Sequence, residues 1–153
     1  MAAAQPDVDL LAVDVHTPGL GNLLKLVEAA GLTNVRLVDG DARVVLTRLP
    51  TGSLRGIRVF FPDPWPKARH AKRRLVDPTF ADLAADRLED GGALHVATDS
   101  LGYAGSVRET LGGHPLLRRS DAVPWRPTTG YEQRALDAGR PSYDIVAVRR
   151  PRA

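Results

Sequence analysis

Residues 59–74 read Val-Phe-Phe-Pro-Asp-Pro-Trp-Pro-Lys-Ala-Arg-His-Ala-Lys-Arg-Arg, and this stretch decides how the sequence is interpreted. The bulky apolar run at 59–61 predicts the end of a buried strand. The prolines within residues 62–66 exclude a helix and stiffen the backbone, so Asp63 and Trp65 are expected on a rigid loop. A carboxylate and an aromatic ring on a rigid turn, followed by dense positive charge, are suited to holding a nucleobase beside its phosphate backbone. A basic run is also typical of a solvated face, but its place at a strand's carboxyl end favours a ligand site.

The composition describes a globular chain of 153 residues, long enough for one domain with a hydrophobic core. It has no cysteine, which excludes disulfides and thiolate metal sites. Residues 1–10 lack the features of a signal peptide, and no apolar run is long enough to cross a bilayer. We therefore expect one domain over 1–153, located in the cytoplasm, with no membrane or metal partner.

Strands and helices alternate along the sequence, which predicts an α/β sheet with right-handed crossovers. Apolar runs predict the strands, and apolar residues at helical spacing predict the helices. The expected strands are 8–15, 34–38, 56–61, 93–97 and 143–149, with a candidate edge strand at 116–119. The expected helices are 20–30, a short helix capped by Asp41, a helix that starts at Asp77-Pro78 and ends at 90–92, and 101–111. Residues 126–140 are expected to form a long loop, with or without a short helix.

Four aspartates come just after four predicted strands: Asp14, Asp41, Asp63 and Asp99. In a parallel sheet these positions share the edge at which ligands bind. Aspartate also favours turns and caps, so a purely structural interpretation stays open. A carboxylate can accept both ribose hydroxyls, which makes Asp14 a candidate nucleotide ligand, and Asp41 beside Ala42 suits an adenine edge.

Several motifs resemble those of the tRNA guanine-N7 methyltransferase family and occur in the same order. They lie at 12–16 (Ala-Val-Asp-Val-His), 40–42 (Gly-Asp-Ala), 60–67 (Phe-Phe-Pro-Asp-Pro-Trp-Pro-Lys), 69–74 (Arg-His-Ala-Lys-Arg-Arg), 97–99 (Ala-Thr-Asp) and 126–132 (Arg-Pro-Thr-Thr-Gly-Tyr-Glu). The resemblance implies a Rossmann-like class I fold dependent on S-adenosylmethionine, a three-layer α/β sandwich. It also implies methyl transfer to N7 of guanine 46 in the tRNA variable loop.

The resemblance assigns roles to the matching positions. It implies that Asp14, Asp41 and Asp63 contact S-adenosylmethionine and that Asp63 is also catalytic. The positions implied to contact substrate are Lys67, Asp99, Thr129, Gly130, Tyr131 and Glu132. The positions implied to contact the tRNA partner are Arg69, His70, Ala71, Lys72, Arg73 and Arg74.

The sequence departs from the family at its beginning, because no Gly-x-Gly turn after a strand precedes Asp14. We therefore expect a partial methyltransferase domain that lacks the family's first strand and glycine-rich loop. In the family, that first strand normally lies between the strands that correspond to 8–15 and 56–61. An upstream gene start, a fragment and a degraded relative that still binds RNA are three open interpretations. The alternative functions are a non-catalytic or partner-dependent RNA-binding relative and a different nucleotide-binding α/β protein, such as a methyltransferase for a small molecule. The oligomeric state is open, with a monomer favoured.

Guanine N7 carries a lone pair and no proton, so its methylation requires alignment rather than a general base. A carboxylate such as Asp63 would stabilise the cationic product. Trp65 either stacks on a base or packs against the prolines. His70 is expected to contact RNA or to lie at the surface rather than to act as a catalyst.

Overall fold

The computed structural model describes residues 1–152 and consists of two compact units, Met1–Arg48 and Leu49–Ala153. The predicted α/β class is confirmed, since strands alternate with helices in both units. The expectation of one domain over 1–153 stays a prediction. Among residues 1–152, no helix combines the length and apolar character needed to cross a membrane.

The first unit is built on two parallel strands and two helices. Strands β1 and β2 pair in register from Leu10 opposite Val35 to Asp14 opposite Asp39. One helix contacts both strands and the other contacts β1. The elements are β1 Leu10–Asp14, α1 Thr17–Ala29, β2 Val35–Asp39 and α2 Ala42–Arg48, preceded by a 3-10 turn at Ala2–Ala4.

Helix α1 begins at Thr17, whereas the sequence predicted a helix from Leu20. The reason is His16, whose Nδ1 accepts a hydrogen bond from the Gly19 N–H at 3.2 Å and so caps the first turn. The predicted end of the helix is confirmed. Gly31 follows α1 with φ of 61°, the left-handed conformation that closes many helices.

The second unit is a four-stranded mixed sheet with three α-helices. Its strand order is β3-β4-β6-β5, with β3 and β4 parallel and the other two pairings antiparallel. Strand β5 lies at the edge, as the sequence predicted for 116–119. The elements are β3 Leu54–Phe60, a 3-10 helix at Ala68–Arg73, α3 Pro78–Arg87, β4 Leu88–Thr98, α4 Leu101–Gly112, β5 Leu117–Ser120, α5 Gly130–Asp137 and β6 Tyr143–Arg149.

Helices α3 and α4 contact each other and both contact β4, so they cover the same face of this sheet. Asp77 caps α3 as predicted, since its Oδ1 accepts from the Phe80 N–H at 2.9 Å. The fully buried core between helices and sheet is made of Phe80, Leu88, Leu94, Val96, Tyr103, Val107 and Leu111.

The predicted end of α3 at residues 90–92 is wrong. The helix ends at Arg87 and β4 begins at Leu88, so these residues lie inside the strand. The pairing of β3 with β4 is irregular here, which identifies a bulge. Gly91 has φ of 83°, and a Cβ on Gly92 would lie 2.9 Å from the Glu89 carbonyl oxygen. Gly91 and Gly92 therefore belong to the bulge and not to a helix end.

The two sheets of residues 1–152 share no strand: β1 pairs with β2, and β3 pairs with β4. The strands predicted at 8–15 and 56–61 are thus not neighbours in one sheet.

A buried hydrogen bond joins the segment before α3 to α4 and provides a test of this core. The Tyr103 hydroxyl accepts from the Val76 N–H at 3.0 Å. We expect Tyr103→Phe to lower the free energy of unfolding by about 1–3 kcal/mol, because it leaves this amide without an acceptor. Urea unfolding measures the change. The matched control Tyr131→Phe alters a ring that is 51% exposed and should change stability by less than about 0.5 kcal/mol.

Candidate functional site

In the first unit, Asp14 and Asp41 lie at the carboxyl edge of the two-stranded sheet, as predicted. Asp14 is the last residue of β1, and Asp41 precedes α2. Asp14 Oδ1 accepts from the His16 N–H at 3.0 Å, and Asp41 Oδ1 accepts from the Arg43 N–H at 2.8 Å. Both side chains are exposed, so each carboxylate is accessible to a ligand.

Asp39 is a third acidic residue at this edge that the sequence interpretation did not select. It ends β2 directly opposite Asp14, is exposed, and accepts from the Thr17 hydroxyl at 2.9 Å. Two carboxylates in register at the ends of parallel strands suit the hydroxyls of a ribose. The hydrogen-bond acceptors at this edge therefore fit a nucleotide cofactor. The signal was present in the sequence, since Asp39 ends an apolar run in the same way as Asp14.

In the second unit, Asp63 lies on a loop with unusual backbone geometry on both sides. Phe61 has φ of 51° and Trp65 has φ of 41°. Left-handed conformations are uncommon for bulky residues and cost on the order of 1–3 kcal/mol each. Such strain is found mainly at functional sites, where the surrounding structure holds it. Asp63 lies between these residues and is exposed to solvent.

The loop is held at both ends by contacts within the unit. The Phe61 N–H donates to the Ala97 carbonyl at 2.7 Å. Arg74 Nε donates to the Pro64 carbonyl at 2.9 Å, and its guanidinium lies 5.3 Å from the centre of the Tyr103 ring. Arg74 therefore anchors the loop, a role that the sequence did not predict. Its predicted contact with RNA stays a prediction.

Trp65 is half-buried and packs against the basic segment that follows it. The Arg73 guanidinium lies 4.9 Å from the centre of its ring, and His70 contacts the ring edge-on at 5.8 Å. These ring contacts are with the basic segment, and both predicted roles of Trp65, base stacking and packing against the prolines, stay predictions. Most other predicted RNA contacts are exposed on the 3-10 helix, namely Arg69, Ala71, Lys72 and Arg73, and so is the predicted substrate contact Lys67 just before it.

The structure brings residues 129–132 to the Asp63 loop. Thr129 caps α5, since its hydroxyl accepts from the Glu132 N–H at 3.0 Å, and Gly130 is the first residue of the helix. The Tyr131 ring contacts the Phe61 ring with 5.6 Å between centres. Two motifs that are distant in the sequence thus meet at one end of the sheet.

Arg126 is the centre of a charged network that the sequence interpretation missed. Its guanidinium forms two bonds with Glu132, at 2.5 and 2.7 Å, and two with Asp144, at 2.8 and 3.1 Å. It also lies over the rings of Phe60 and Phe61 at 5.5 and 5.6 Å. The side chain is only 9% exposed. Arg126 therefore joins α5, β6 and the start of the Asp63 loop.

The network keeps both acids ionised. The hydrogen bonds from Arg126 lower the pKa of Glu132 to about 2, and a 2.7 Å bond from the Ser142 hydroxyl contributes. Burial raises the pKa of Asp144, but hydrogen bonds from Arg126 and His95 outweigh it and leave the pKa below its usual value. The same carboxylates raise the pKa of Arg126. Glu132, predicted to contact substrate, is buried in these interactions, and its substrate contact stays a prediction.

His95 extends the network into the core. Its Nε2 lies 2.6 Å from Asp144 Oδ1, and the ring is 1% exposed. Because the carboxylate only accepts, Nε2 is the donor. Asp99 is outside this network and lies 3.5 Å from Arg140 Nε.

Comparison with known proteins identifies the family. The Methyltransf_4 family model, described as "Putative methyltransferase", matches residues 1–145. The tRNA (guanine-N(7)-)-methyltransferase of Nitrosomonas eutropha is 45% identical over 95% of this chain and 68% of its own length. The chain belongs to the tRNA (guanine-N7)-methyltransferase family.

Other members of the family are longer than the matched region. The enzyme of Streptomyces avermitilis is 47% identical over 95% of this chain and 53% of its own length. The enzyme of Nitrosospira multiformis is 48% identical over 95% of this chain and 66% of its own length. The chain therefore spans about half to two thirds of the length of these tRNA (guanine-N7)-methyltransferases.

Solved methyltransferase structures confirm the fold class predicted from the family. An rRNA methylase from Streptococcus thermophilus matches 93% of this chain and 74% of its own with a TM-score of 0.62 and 17% identity. TrmN from Thermus thermophilus matches 97% of this chain and 39% of its own with a TM-score of 0.67 and 20% identity. The predicted Rossmann-like, class I methyltransferase fold is confirmed.

Replacement of Arg126 tests the network. We expect Arg126→Met to lower the free energy of unfolding by about 3–5 kcal/mol, because two carboxylates lose their cation in a partly buried site. Arg126→Lys should cost less but remain destabilising, since an ammonium cannot form the paired bonds. Urea unfolding measures both, with Arg134→Met on the exposed surface of α5 as the control. A loss below about 1 kcal/mol for Arg126→Met would show that the network contributes little to stability.

Acid stability provides a second test. The pKa of Glu132 is about 2 in the folded chain, against an ordinary value of 4.5. A lowered pKa stabilises the fold above the ordinary value, and this stabilisation is lost as the pH falls from about 4.5 towards 2. We expect the free energy of unfolding of Glu132→Gln, measured by urea titration, to fall less steeply between pH 4.5 and pH 2 than that of the unaltered chain. The control Glu109→Gln, at an exposed position of α4, should follow the unaltered chain.

Proposed function

We propose that this chain carries the site of an S-adenosylmethionine-dependent tRNA guanine-N7 methyltransferase. The names of its relatives support the reaction, and the chain shares about half to two thirds of their length. The main support for the proposal is the exposed position of the Asp63 carboxylate. It is held on a strained loop between an exposed basic segment and residues 129–132.

The chemistry of the target explains why a carboxylate is useful there. Guanine N7 becomes positively charged when it is methylated, and no proton has to be removed first. Asp63 would stabilise that developing charge. When bound, S-adenosylmethionine supplies the electrophilic methyl group. The loop contributes by fixing the carboxylate in place, so that alignment rather than acid–base chemistry accelerates the reaction.

Asp14 and Asp39 are the proposed acceptors for the ribose hydroxyls of S-adenosylmethionine, and Asp41 is proposed to meet its adenine. The contact of Asp63 with the cofactor stays a prediction of the family resemblance. The exposed acids at the carboxyl edge of β1 and β2 support the first part of this assignment.

For the nucleic acid, we assign the exposed basic segment to tRNA phosphates, with Lys67 also near the target base. Asp99, Thr129, Gly130 and Tyr131 are the proposed substrate contacts. Glu132 would act on substrate by orienting the start of α5 through Arg126. Under this proposal the chain works in the cytoplasm, and an oligomeric partner is not required.

Asp63→Asn tests the proposed catalytic role. We expect the rate of methyl transfer to fall by about 100-fold or more, because the amide cannot offset the positive charge on the methylated guanine. The affinity for tRNA should change by less than about threefold. The assay follows a labelled methyl group into a tRNA transcript, and chain cleavage at N7-methylguanosine maps its position. The exposed change Asp7→Asn is the control.

Two other results have distinct meanings. Full activity of Asp63→Asn would remove the catalytic assignment. An unaltered chain that binds tRNA but transfers no methyl group would favour the RNA-binding relative over the enzyme.

Charge removal tests the RNA surface. Arg69→Ala and Lys72→Ala should each weaken tRNA binding and reduce the slope of log affinity against log salt by about 1, since each removes one phosphate contact. Fluorescence anisotropy of labelled tRNA across a salt series measures both quantities. Arg55→Ala, an exposed change near the opposite end of β3, should leave the slope unchanged. Unchanged slopes in all three variants would locate the RNA elsewhere.

A further inference from the structure

We propose that the second unit has a separate subsite for one unpaired nucleotide of the RNA, in which Trp125 stacks on the base and Arg108 and Arg119 contact its phosphate. This inference rests on the proposed function and adds a nucleotide contact beyond the target guanine. It assigns a ligand to the surface around Trp125, a residue that lies just before the 126–132 motif and outside it.

Trp125 is the first observation. Its side chain is 64% exposed although tryptophan is the largest apolar residue, and the neighbouring Val123 is 52% exposed. The backbone around it is restrained by Pro124 and Pro127 and fixed by the four bonds of Arg126. An exposed aromatic ring on a rigid segment is a suitable platform for a base.

A cavity beside this ring is the second observation. It has a volume of about 320 Å³, within the range of small-ligand sites, and is lined by Trp125, Arg126, Thr128, Glu132, Ser142 and Asp144. The hydroxyl oxygens of Thr128 and Ser142 can accept hydrogen bonds from the amino groups of a base, whereas the carboxylates of Glu132 and Asp144 are already bonded to Arg126. The wall therefore combines a flat apolar surface with polar atoms, which is what a nucleobase requires.

An adjacent cavity supplies the positive charge. It has a volume of about 120 Å³ and shares Val123 and Asp144 with the first. Arg108 and Arg119 line it, and the Arg119 side chain is 70% exposed. Of the two acids in its wall, Asp144 is bonded to Arg126, and Asp121 lies 3.5 Å from Arg119. A base site next to two arginines matches the two halves of a nucleotide.

The position of the cavity relates it to the target base. Arg126 lines the cavity and also lies over Phe60 and Phe61, at the start of the Asp63 loop. An RNA strand whose guanine reaches Asp63 would thus pass the cavity with a neighbouring nucleotide. The occupant is an RNA base rather than the adenine of the cofactor, because S-adenosylmethionine has no phosphate for Arg108 and Arg119 to contact.

Binding of a tRNA transcript to the 153-residue chain tests the subsite. We expect Trp125→Ala to weaken binding by roughly 5- to 150-fold, the range for loss of one base stack, without changing the salt slope. Trp125→Phe keeps a ring and should weaken binding by less than about fivefold. Arg119→Ala should instead reduce the salt slope by about 1. Leu116→Ala removes another exposed apolar side chain and is the control.

Tryptophan fluorescence gives an independent readout. At saturating tRNA, part of the quenching should disappear in Trp125→Phe, and S-adenosylmethionine alone should produce no quenching that depends on Trp125. The inference would be overturned if Trp125→Ala bound tRNA as tightly as the unaltered chain does. It would also be overturned if the cofactor alone caused quenching that depends on Trp125. If the unaltered chain binds no tRNA, both the proposed function and the subsite are wrong. If the chain binds tRNA tightly and replacement of Trp125 does not change the affinity, only the proposed subsite is wrong.

Discussion

The paired bonds of Arg126 with Glu132 and Asp144 are the constraint on which the site depends. One planar guanidinium serves two carboxylates from different elements and covers two aromatic rings. Removing the cation would leave two charges that the surroundings cannot solvate well. The arrangement fixes the start of α5 against the sheet, and Tyr131 is thereby held beside Phe61. A residue with no direct chemical role thus determines where the chemical groups lie.

The Asp63 loop shows how such anchoring is used. Two bulky aromatics adopt left-handed backbone angles that an unrestrained chain would avoid. The Ala97 carbonyl and the Arg74 side chain hold the two ends. Basic residues that look alike in the sequence consequently separate into an inward anchor and an outward surface. The inward member stabilises the loop, while the outward members remain accessible to a polyanion.

Local signals predicted the fold well, and long-range contacts account for what they missed. Strand β6 matches the predicted 143–149 because residues 145–148 form a continuous apolar run. The start of α3 was predicted correctly because Asp77 caps the helix and Pro78 follows it. The position of Asp63 followed from its prolines. Arg126 could not be predicted as an anchor, because its partners are 6 and 18 residues away and become neighbours only in the folded sheet. The His16 cap was missed because histidine is not a usual capping residue.

The paired glycines of the β4 bulge have different tolerances, although they are identical in the sequence. Gly91 needs its left-handed angle but has open space around its Cα, so asparagine or aspartate is the least costly replacement. Gly92 has no such latitude, because three carbonyl oxygens, those of Glu89, Arg55 and Leu54, lie within 3.2 Å of where a Cβ would be placed. Members of the family should therefore vary at the position of Gly91 and keep glycine at the position of Gly92.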